Sequence, residues 1–395
     1  MRVLHSGDWH TRDKDIEEIE KCLRKVVDTA REEAVDLIVI AGDLFDSQDV
    51  KLDSLSAKLI VRVISELADI APVAIVIGTA SHDGTAAEIL RYARGKHFVH
   101  VASVPEQVFL TAGDVYMRPG IGNIKPNAVL TLIPTPTKQF LQGTDQDISQ
   151  AMSAVFAGFG AQAAQHKAPH ILVTHLNVNG CRLANGQIRT GMDIEVSVDQ
   201  MNLGNFDLGC LGHIHIEQCL GEKYFFSGPI YATKIDEDGR KGFWIHEFPK
   251  TPMGVFSHRF TETPAKKLLR LHHDFVKDPP IDELDIVLYQ FERSEIEGSF
   301  VRCDFTVYQD EAGKISKETI TSFYKSAGAL DVDIRIIRVP RETVRAEAVL
   351  KADRLRDKIV KMAEIKNETV SEGILTKADQ LEDMQADELI KAVAG

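Results

Sequence analysis

No stretch of this sequence is long and apolar enough to cross a membrane. The longest apolar run, Ile70 to Ile77, falls far short of the ~18–20 residues a span requires. The start of the chain carries no positive-then-apolar leader but runs straight into a strand-like Val3-Leu4-His5, which argues against secretion. Cysteine is scarce: Cys22, Cys181, Cys210, Cys219 and Cys303 are all, and no Cys-x-x-Cys occurs. That argues against a disulfide framework or a thiolate zinc site and fits a reducing cytoplasm. Basic excess is missing too, with 46 Lys and Arg against 59 Asp and Glu and a net charge of −13. Such a balance disfavours indiscriminate nucleic-acid binding, though it leaves room for a local basic groove. Internal repeats and low-complexity tracts are also absent. What remains, 395 residues at 44% hydrophobic and 27% charged, is an ordinary globular composition with length for two or three domains.

The first half alternates strand-like and helix-like segments. Val3–Ser6 is short and apolar. Asp15 to Ala34 then places Ile16, Ile19, Leu23, Val26, Val27 and Ala30 at helical spacing. Asp36 to Ile40 reads as a buried strand, Leu52 to Ile70 as a second helix, and Pro72 to Ile77 as the next strand. This order implies an α/β sheet with helices on its faces. Further strands are expected at Phe98–Ala102, Val129–Ile133, His170–Thr174, Phe206–Leu211 and Phe243–Phe248, with a helix over Ile148–Gln165. Pro249, Pro252 and Gly254 break the pattern, and Lys277-Asp278-Pro279-Pro280 breaks it again, so a boundary is placed near residue 275. Beyond it, strands at Ser299–Tyr308 and Asp331–Val339 around a helix at Ser316–Ser326 predict a small second domain. From Arg341 the chain is charged and helix-prone, basic first and then acidic through Glu372, Asp379, Glu382, Asp383, Asp387 and Glu388. Its apolar residues at helical spacing, Ile359, Met362, Ala363, Leu381, Met384, Leu389 and Ile390, need something to dock on.

Five polar clusters follow directly on predicted strands: Asp8 and His10; Gly42-Asp43-Leu44-Phe45-Asp46; Ser81-His82-Asp83; His175; and Gly212-His213-Ile214-His215. In open α/β sheets ligands sit at the carboxyl ends of strands, so the clusters should converge on one rim. Two aspartates (Asp8, Asp43) and four histidines (His10, His175, His213, His215) combine hard oxygen with imidazole nitrogen. That mixture suits Mn²⁺, Fe²⁺ or Zn²⁺ better than Ca²⁺ or Mg²⁺. Six donors exceed the needs of one ion, and a carboxylate can bridge two.

In order and type these clusters resemble the calcineurin-like metallophosphoesterases. Ser6-Gly7-Asp8-Trp9-His10, Ala41-Gly42-Asp43-Leu44-Phe45-Asp46, Leu211-Gly212-His213-Ile214-His215, Ser227-Gly228-Pro229 and Lys241-Gly242-Phe243 are similar to the SbcD-type nucleases of DNA double-strand-break repair. The resemblance implies a metallophosphoesterase sandwich, mixed sheets flanked by helices, over residues 1–275. It further implies a small α+β capping domain over 276–340 and a helical partner-binding segment over 341–395, docking on an SbcC-type coiled-coil ATPase. Carried over, one metal would be held by Asp8, His10, Asp43 and His215. The other would be held by Asp43, His175, His213 and the residue at the family's asparagine position. There the chain departs: Gly78-Thr79-Ala80-Ser81-His82-Asp83 is two residues longer than the family loop, and Ser81 stands where asparagine is expected.

The expected chemistry is hydrolysis of a phosphodiester. Two cations, Mn²⁺ being the expectation, would stabilise the transition-state charge and lower the pKa of water, while His82 donates a proton to the leaving oxygen and Asp83 orients it. The resemblance makes the chain a cytoplasmic DNA exo- and endonuclease with DNA and the ATPase as partners, compatible with a homodimer and without a membrane. Two other readings stay open: a phosphodiesterase or phosphatase with non-DNA substrates, and a weakly catalytic scaffold binding DNA ends. Trp9 reads as packing rather than as a base-stacking group.

Overall fold

A computed structural model of the protein describes residues 1–111, 114–116, 125–136, 145–184, 194–234, 237, 239–249, 255–278, 281, 284–341, 349 and 351–383. Met384, Asp387, Glu388, Leu389 and Ile390 lie outside the described residues. In chain order the first elements are β1 (Arg2–Ser6), α1 (Ile16–Glu32), β2 (Leu37–Ala41), α2 (Leu55–Ala68), β3 (Val73–Val76) and β4 (Val99–Ala102). There follow β5 (Glu106–Thr111), β6 (Asp114–Tyr116), β7 (Ala128–Ile133), α3 (Asp145–Ala163) and β8 (His170–His175). Next come the short β9 (Asn177–Val178) and β10 (Glu195–Val196), then β11 (Leu208–Gly212), β12 (Gln218–Leu220), β13 (Tyr224–Phe226), β14 (Gly242–Glu247) and β15 (Ser257–Glu262).

Two mixed sheets face one another. The first has the order β15-β14-β1-β2-β3-β4, with β1 to β4 parallel and β14 and β15 antiparallel at one side. The second runs β12-β13-β11-β8-β7-β5-β6, with a parallel centre of β13, β11, β8 and β7. Strand β2 shows why the layers form. All of Leu37-Ile38-Val39-Ile40-Ala41 is buried, and side chains alternate between faces. Leu37, Val39 and Ala41 pack toward the second sheet with Leu130, Ile171, Val173 and Cys210. Ile38 and Ile40 pack toward the helices with Ile19, Leu23, Ile60 and Ile64. The second sheet has its own helical cover, in which Leu172, Leu211 and Phe226 meet Met152, Phe156 and Met201. The result is a helix–sheet–sheet–helix sandwich.

Ser54 caps α2, its hydroxyl accepting from Ala57 N at 3.1 Å. Strands β5, β6, β9, β10, β12, β13 and β15 escaped the sequence reading. In β15, Ser257-His258-Arg259-Phe260-Thr261-Glu262 is an edge strand whose outward residues are polar, so no apolar run announces it.

The chain divides into two compact units, which interleave along the sequence more than one boundary near 275 expresses. One comprises Met1–Arg270, Arg293–Arg302 and Tyr324–Val332, and the other comprises Leu271–Glu292, Cys303–Phe323 and Asp333–Gly395. The later strands β16 (Lys267–Asp274), β17 (Ser299–Tyr308) and β18 (Asp331–Val339) form a three-stranded sheet with β17 central. Helices Leu355–Lys366 and Glu372–Asp383 pair with one another through Arg356, whose guanidinium donates to Asp379 at 2.7 Å and Glu372 at 3.0 Å. Ala363, Leu375 and Ala378 are buried there, whereas Met362, Ile374 and Leu381 remain exposed. Among the described residues no helix is long and apolar enough to cross a membrane.

Candidate metal centre

Strands β1, β2, β3, β8 and β11 all end on one rim, because the parallel pairings run in the same direction and in register, Gly212 opposite His175. Each strand hands its next residues to a tight turn. Asp8, His10, Asp43 and His213 have positive φ (51°, 40°, 51° and 91°), backbone that L residues seldom adopt and that clusters at functional sites. The turns close on each other by main-chain bonds, Asp8 N donating to Gly42 O and His10 N to Asp43 O, both at 2.9 Å. Glycine is required where these turns touch. A Cβ on Gly212 would stand 2.0 Å from Ala41 O and 2.9 Å from His175 Nδ1.

The rim gathers three donor triads, one of which, His10, Asp46 and His82, shares His10 with another. One atom from each of Asp8, His10 and His215 lies within 4.8 Å of the others, and the same holds for Asp43, His175 and His213. Asp43 joins them: its Oδ2 is 3.2 Å from His175 Nε2 and 3.8 Å from His10 Nε2. One carboxylate oxygen thus faces both triads.

The imidazoles are oriented by their other nitrogens. His175 Nδ1 donates to Ala41 O at 2.7 Å, which leaves Nε2 as the donor atom toward Asp43. His215 Nδ1 is held by Glu237 Oε1, and His215 Nε2 faces His10 Nε2 at 3.0 Å. An imidazole whose second nitrogen is bonded to a carbonyl or carboxylate is the usual arrangement around a metal ion.

Charge follows the same pattern. Burial works against charge on His175, but Asp43 and Asp8 outweigh it and lift the imidazole to about 9. The negative field that holds that proton is the field a divalent cation would meet. Burial pushes the Asp8 carboxyl up despite His175 and His215. Asp8 Oδ2 is buried and finds no hydrogen-bond partner among the described residues, a cost the fold accepts where an ion can satisfy the atom. The residues therefore fit a pair of divalent ions.

Within the asparagine-position loop the structure differs from the sequence reading. Ser81 is exposed, its carbonyl accepting from Gln48 N at 3.0 Å. Thr79 stands at the centre instead, its hydroxyl 3.2 Å from both Asp43 Oδ2 and His175 Nε2. The chain turns directly after Thr79, whose carbonyl accepts from His82 N at 2.9 Å and Asp83 N at 3.0 Å, so that Thr79 and not Ser81 faces the centre. Ser81→Asn is accordingly expected to leave the metal dependence of turnover unchanged, whereas Thr79→Val should raise the ion concentration needed. A metal titration of the rate checks both.

His82 sits edge-on to His10, ring centroids 4.6 Å apart, with Nδ1 donating to Asp46 O at 2.8 Å. Asp83 does not orient it. The Asp83 carboxylate is fully buried and accepts from Leu44 N, Phe45 N and Gly78 N at 2.8, 3.1 and 2.8 Å, bracing the turn that carries Asp43. Burial and the neighbouring Asp43 push its carboxyl up to about 6. Trp9 is fully buried, its Nε1 donating to Ser6 Oγ at 2.8 Å, and serves packing.

Sequence reasoning missed Glu237, which follows no strand and belongs to no spaced pair. Its Oε2 accepts from Thr233 N at 2.9 Å and Lys241 Nζ at 3.1 Å while Oε1 holds His215. Burial opposes its charge, but His215 and Lys241 prevail and keep the carboxyl down at about 2. Glu237→Gln should weaken ion affinity ~10–100-fold, the usual effect of losing a partner of a ligating histidine. Isothermal titration of the metal-free protein would measure it.

The family model for calcineurin-like phosphoesterases matches residues 1–217. Among curated proteins the chain is similar to the SbcD component of the SbcCD nuclease of Staphylococcus epidermidis, 23% identical over 309 residues that cover 74% of this chain and 73% of that protein. Among solved structures it matches "GAP50 the anchor in the inner membrane complex of Plasmodium" at 15% identity and a TM-score of 0.41, covering 68% of this chain and 90% of that one.

Proposed function

This chain belongs to the calcineurin-like phosphoesterase family, and from that premise we propose that it is a Mn²⁺-dependent DNA nuclease acting in double-strand-break repair with an SbcC-type ATPase. The observation that carries a phosphodiester reaction is Asp43 Oδ2, one oxygen between two donor triads. Asp8, His10, Asp43 and His215 would hold one ion, and Asp43, His175, His213 and Thr79 the other. When bound, such a pair supplies charge stabilisation for a phosphoryl group in transition and lowers the pKa of water toward neutrality.

The chain's own residues do the rest. The backbone turns fix the aspartates, and Ala41 O and Glu237 fix the ligand tautomers of His175 and His215. With Nδ1 committed to Asp46 O, His82 presents Nε2 as the atom that carries a proton to the leaving oxygen. Beside the centre, Arg12, Tyr231, Thr233, Lys234, Lys266 and Phe300 help line a cavity of about 200 Å³. Arg12, Lys234 and Lys266 outnumber the two carboxylates of the same lining, Asp15 and Glu18, a small positive excess that suits a flanking phosphate of a nucleic-acid strand.

The test offers single- and double-stranded DNA and a nitrophenyl phosphodiester with Mn²⁺, with and without the ATPase. DNA cleavage is expected. Turnover of the diester alone would replace this reading with a non-DNA phosphodiesterase, and metal binding without turnover would replace it with a scaffold. Removal of residues 341–395 should abolish co-purification with the ATPase while sparing hydrolysis of the small diester. The exposed Met362, Ile374 and Leu381 on the paired helices are the proposed anchors.

A further inference from the structure

The interior between the two sheets holds a second group of metal-type donors that the phosphoesterase centre does not use. His5 on β1, Cys210 on β11 and His246 on β14 are each fully buried, and one donor atom from each lies within 4.8 Å of the others. Register explains the meeting. His246 is opposite Val3, and Val3 and Cys210 both belong to the core between the sheets. His5, two residues beyond Val3, faces the same way. His258 on β15 is opposite His246 and so shares that face.

Hydrogen bonding fixes what the imidazoles offer. His5 Nε2 lies 3.2 Å from the Leu211 carbonyl, so Nε2 carries the proton and Nδ1 holds a bare lone pair. That lone pair faces His246 Nε2 at 3.4 Å. The other nitrogen of His246 is 2.8 Å from His258 Nδ1, a contact in which one ring donates to the other. A separation of 3.4 Å makes this a long hydrogen bond, beyond the ~2.7–3.2 Å usual for N–H···O. It equals the ~3.3–3.4 Å between two nitrogens that sit about 2.0–2.1 Å from one tetrahedral ion. Burial also holds His5 down at about 3 and His246 well below the usual histidine range, which keeps both rings neutral and able to donate lone pairs.

We propose that His5, His246 and Cys210 form an intersheet site for a borderline-soft divalent cation of the Zn²⁺ class, with His258 and the Leu211 carbonyl holding both imidazoles in their ligating tautomers. His246 Nδ1–H then donates to His258 Nδ1, and Cys210, whose thiol is pushed well above its usual range by burial, releases its proton to solvent only as the sulfur takes the ion. A thiolate with two imidazoles is a softer set than the Asp/His rim and selects a different ion. No Cys-x-x-Cys is needed, because the fold brings single donors from three separate strands. Bound there, the ion would tie β1 and β14 of one sheet to β11 of the other.

Cobalt distinguishes this site from the rim, since only a thiolate ligand gives near-ultraviolet sulfur-to-Co²⁺ charge-transfer absorption. The full chain is produced in Co²⁺-supplemented medium, so that the interior is loaded during folding. The absorption is expected in the wild type, lost in Cys210→Ser together with one cobalt per chain, and kept in Cys219→Ser. His5→Gln, which leaves every cysteine in place, should shift or abolish it and serves if Cys210→Ser does not fold. Folded wild-type protein without the band, a band that survives Cys210→Ser, or one unaltered by His5→Gln would overturn the site. Any of these would leave the histidines as a neutral hydrogen-bonded chain.

Discussion

Asp43→Asn is expected to cost more turnover than the ~10²–10⁴-fold of a lost acid–base group, and to lower the bound-ion content. The substitution keeps the shape of the side chain and the bond from Thr79 N to Oδ1, 2.6 Å long, so the turn should persist. What it removes is the charge. The His10, His82 and His175 rings together hold the Asp43 carboxyl down against the cost of burial, and a neutral amide cannot sit between two cations as a carboxylate does. Both triads lose their shared donor at once. Elemental analysis of the purified variant together with diester kinetics makes the check; full ion content with reduced turnover would mean that Asp43 is not the bridge.

Replacing His82 by alanine gives the opposite signature: turnover falls ~10²–10⁴-fold while both ions stay bound. Its ring touches His10, and its Nδ1 is committed to a carbonyl of the Asp43-to-Asp46 turn, which leaves it outside the two triads that Asp43 joins. The defect should shrink for a diester whose leaving group is already acidic, because such a group departs without a proton. An ion lost with His82 would make the residue a ligand, consistent with its nearness to His10 and Asp46.

The legible part of this molecule was periodic or clustered. The unbroken apolar run Leu37-Ile38-Val39-Ile40-Ala41 and the three-and-four spacing in α1 are physical consequences of burying both faces or one, so they stand in the sequence unaided. The rim donors were legible because each follows a strand end directly, and the strands deliver them to one place. Thr79 was hidden by loop length: counting back from His82 selects Ser81, whereas the backbone turn presents the residue beside Gly78. Asp83 was read as a partner of His82 because it is the neighbour in sequence, yet the two successive side chains part in the turn, and the Asp83 carboxylate meets three main-chain donors instead. Glu237 and the His5–Cys210–His246 group depend on contacts between distant segments, which no local spacing encodes.

The left-handed backbone at Asp8, His10, Asp43 and His213 has a bearing on how ions come and go. Each such residue costs on the order of 1–3 kcal/mol, a burden met when the sandwich folds rather than when an ion arrives. A cation therefore meets a frame already set, and its binding energy is not spent on ordering loops. Exchange from one ion to another needs no refolding, so the occupant in the cell would follow donor chemistry and supply. Starvation for one metal would change the enzyme's rate before it changed its shape.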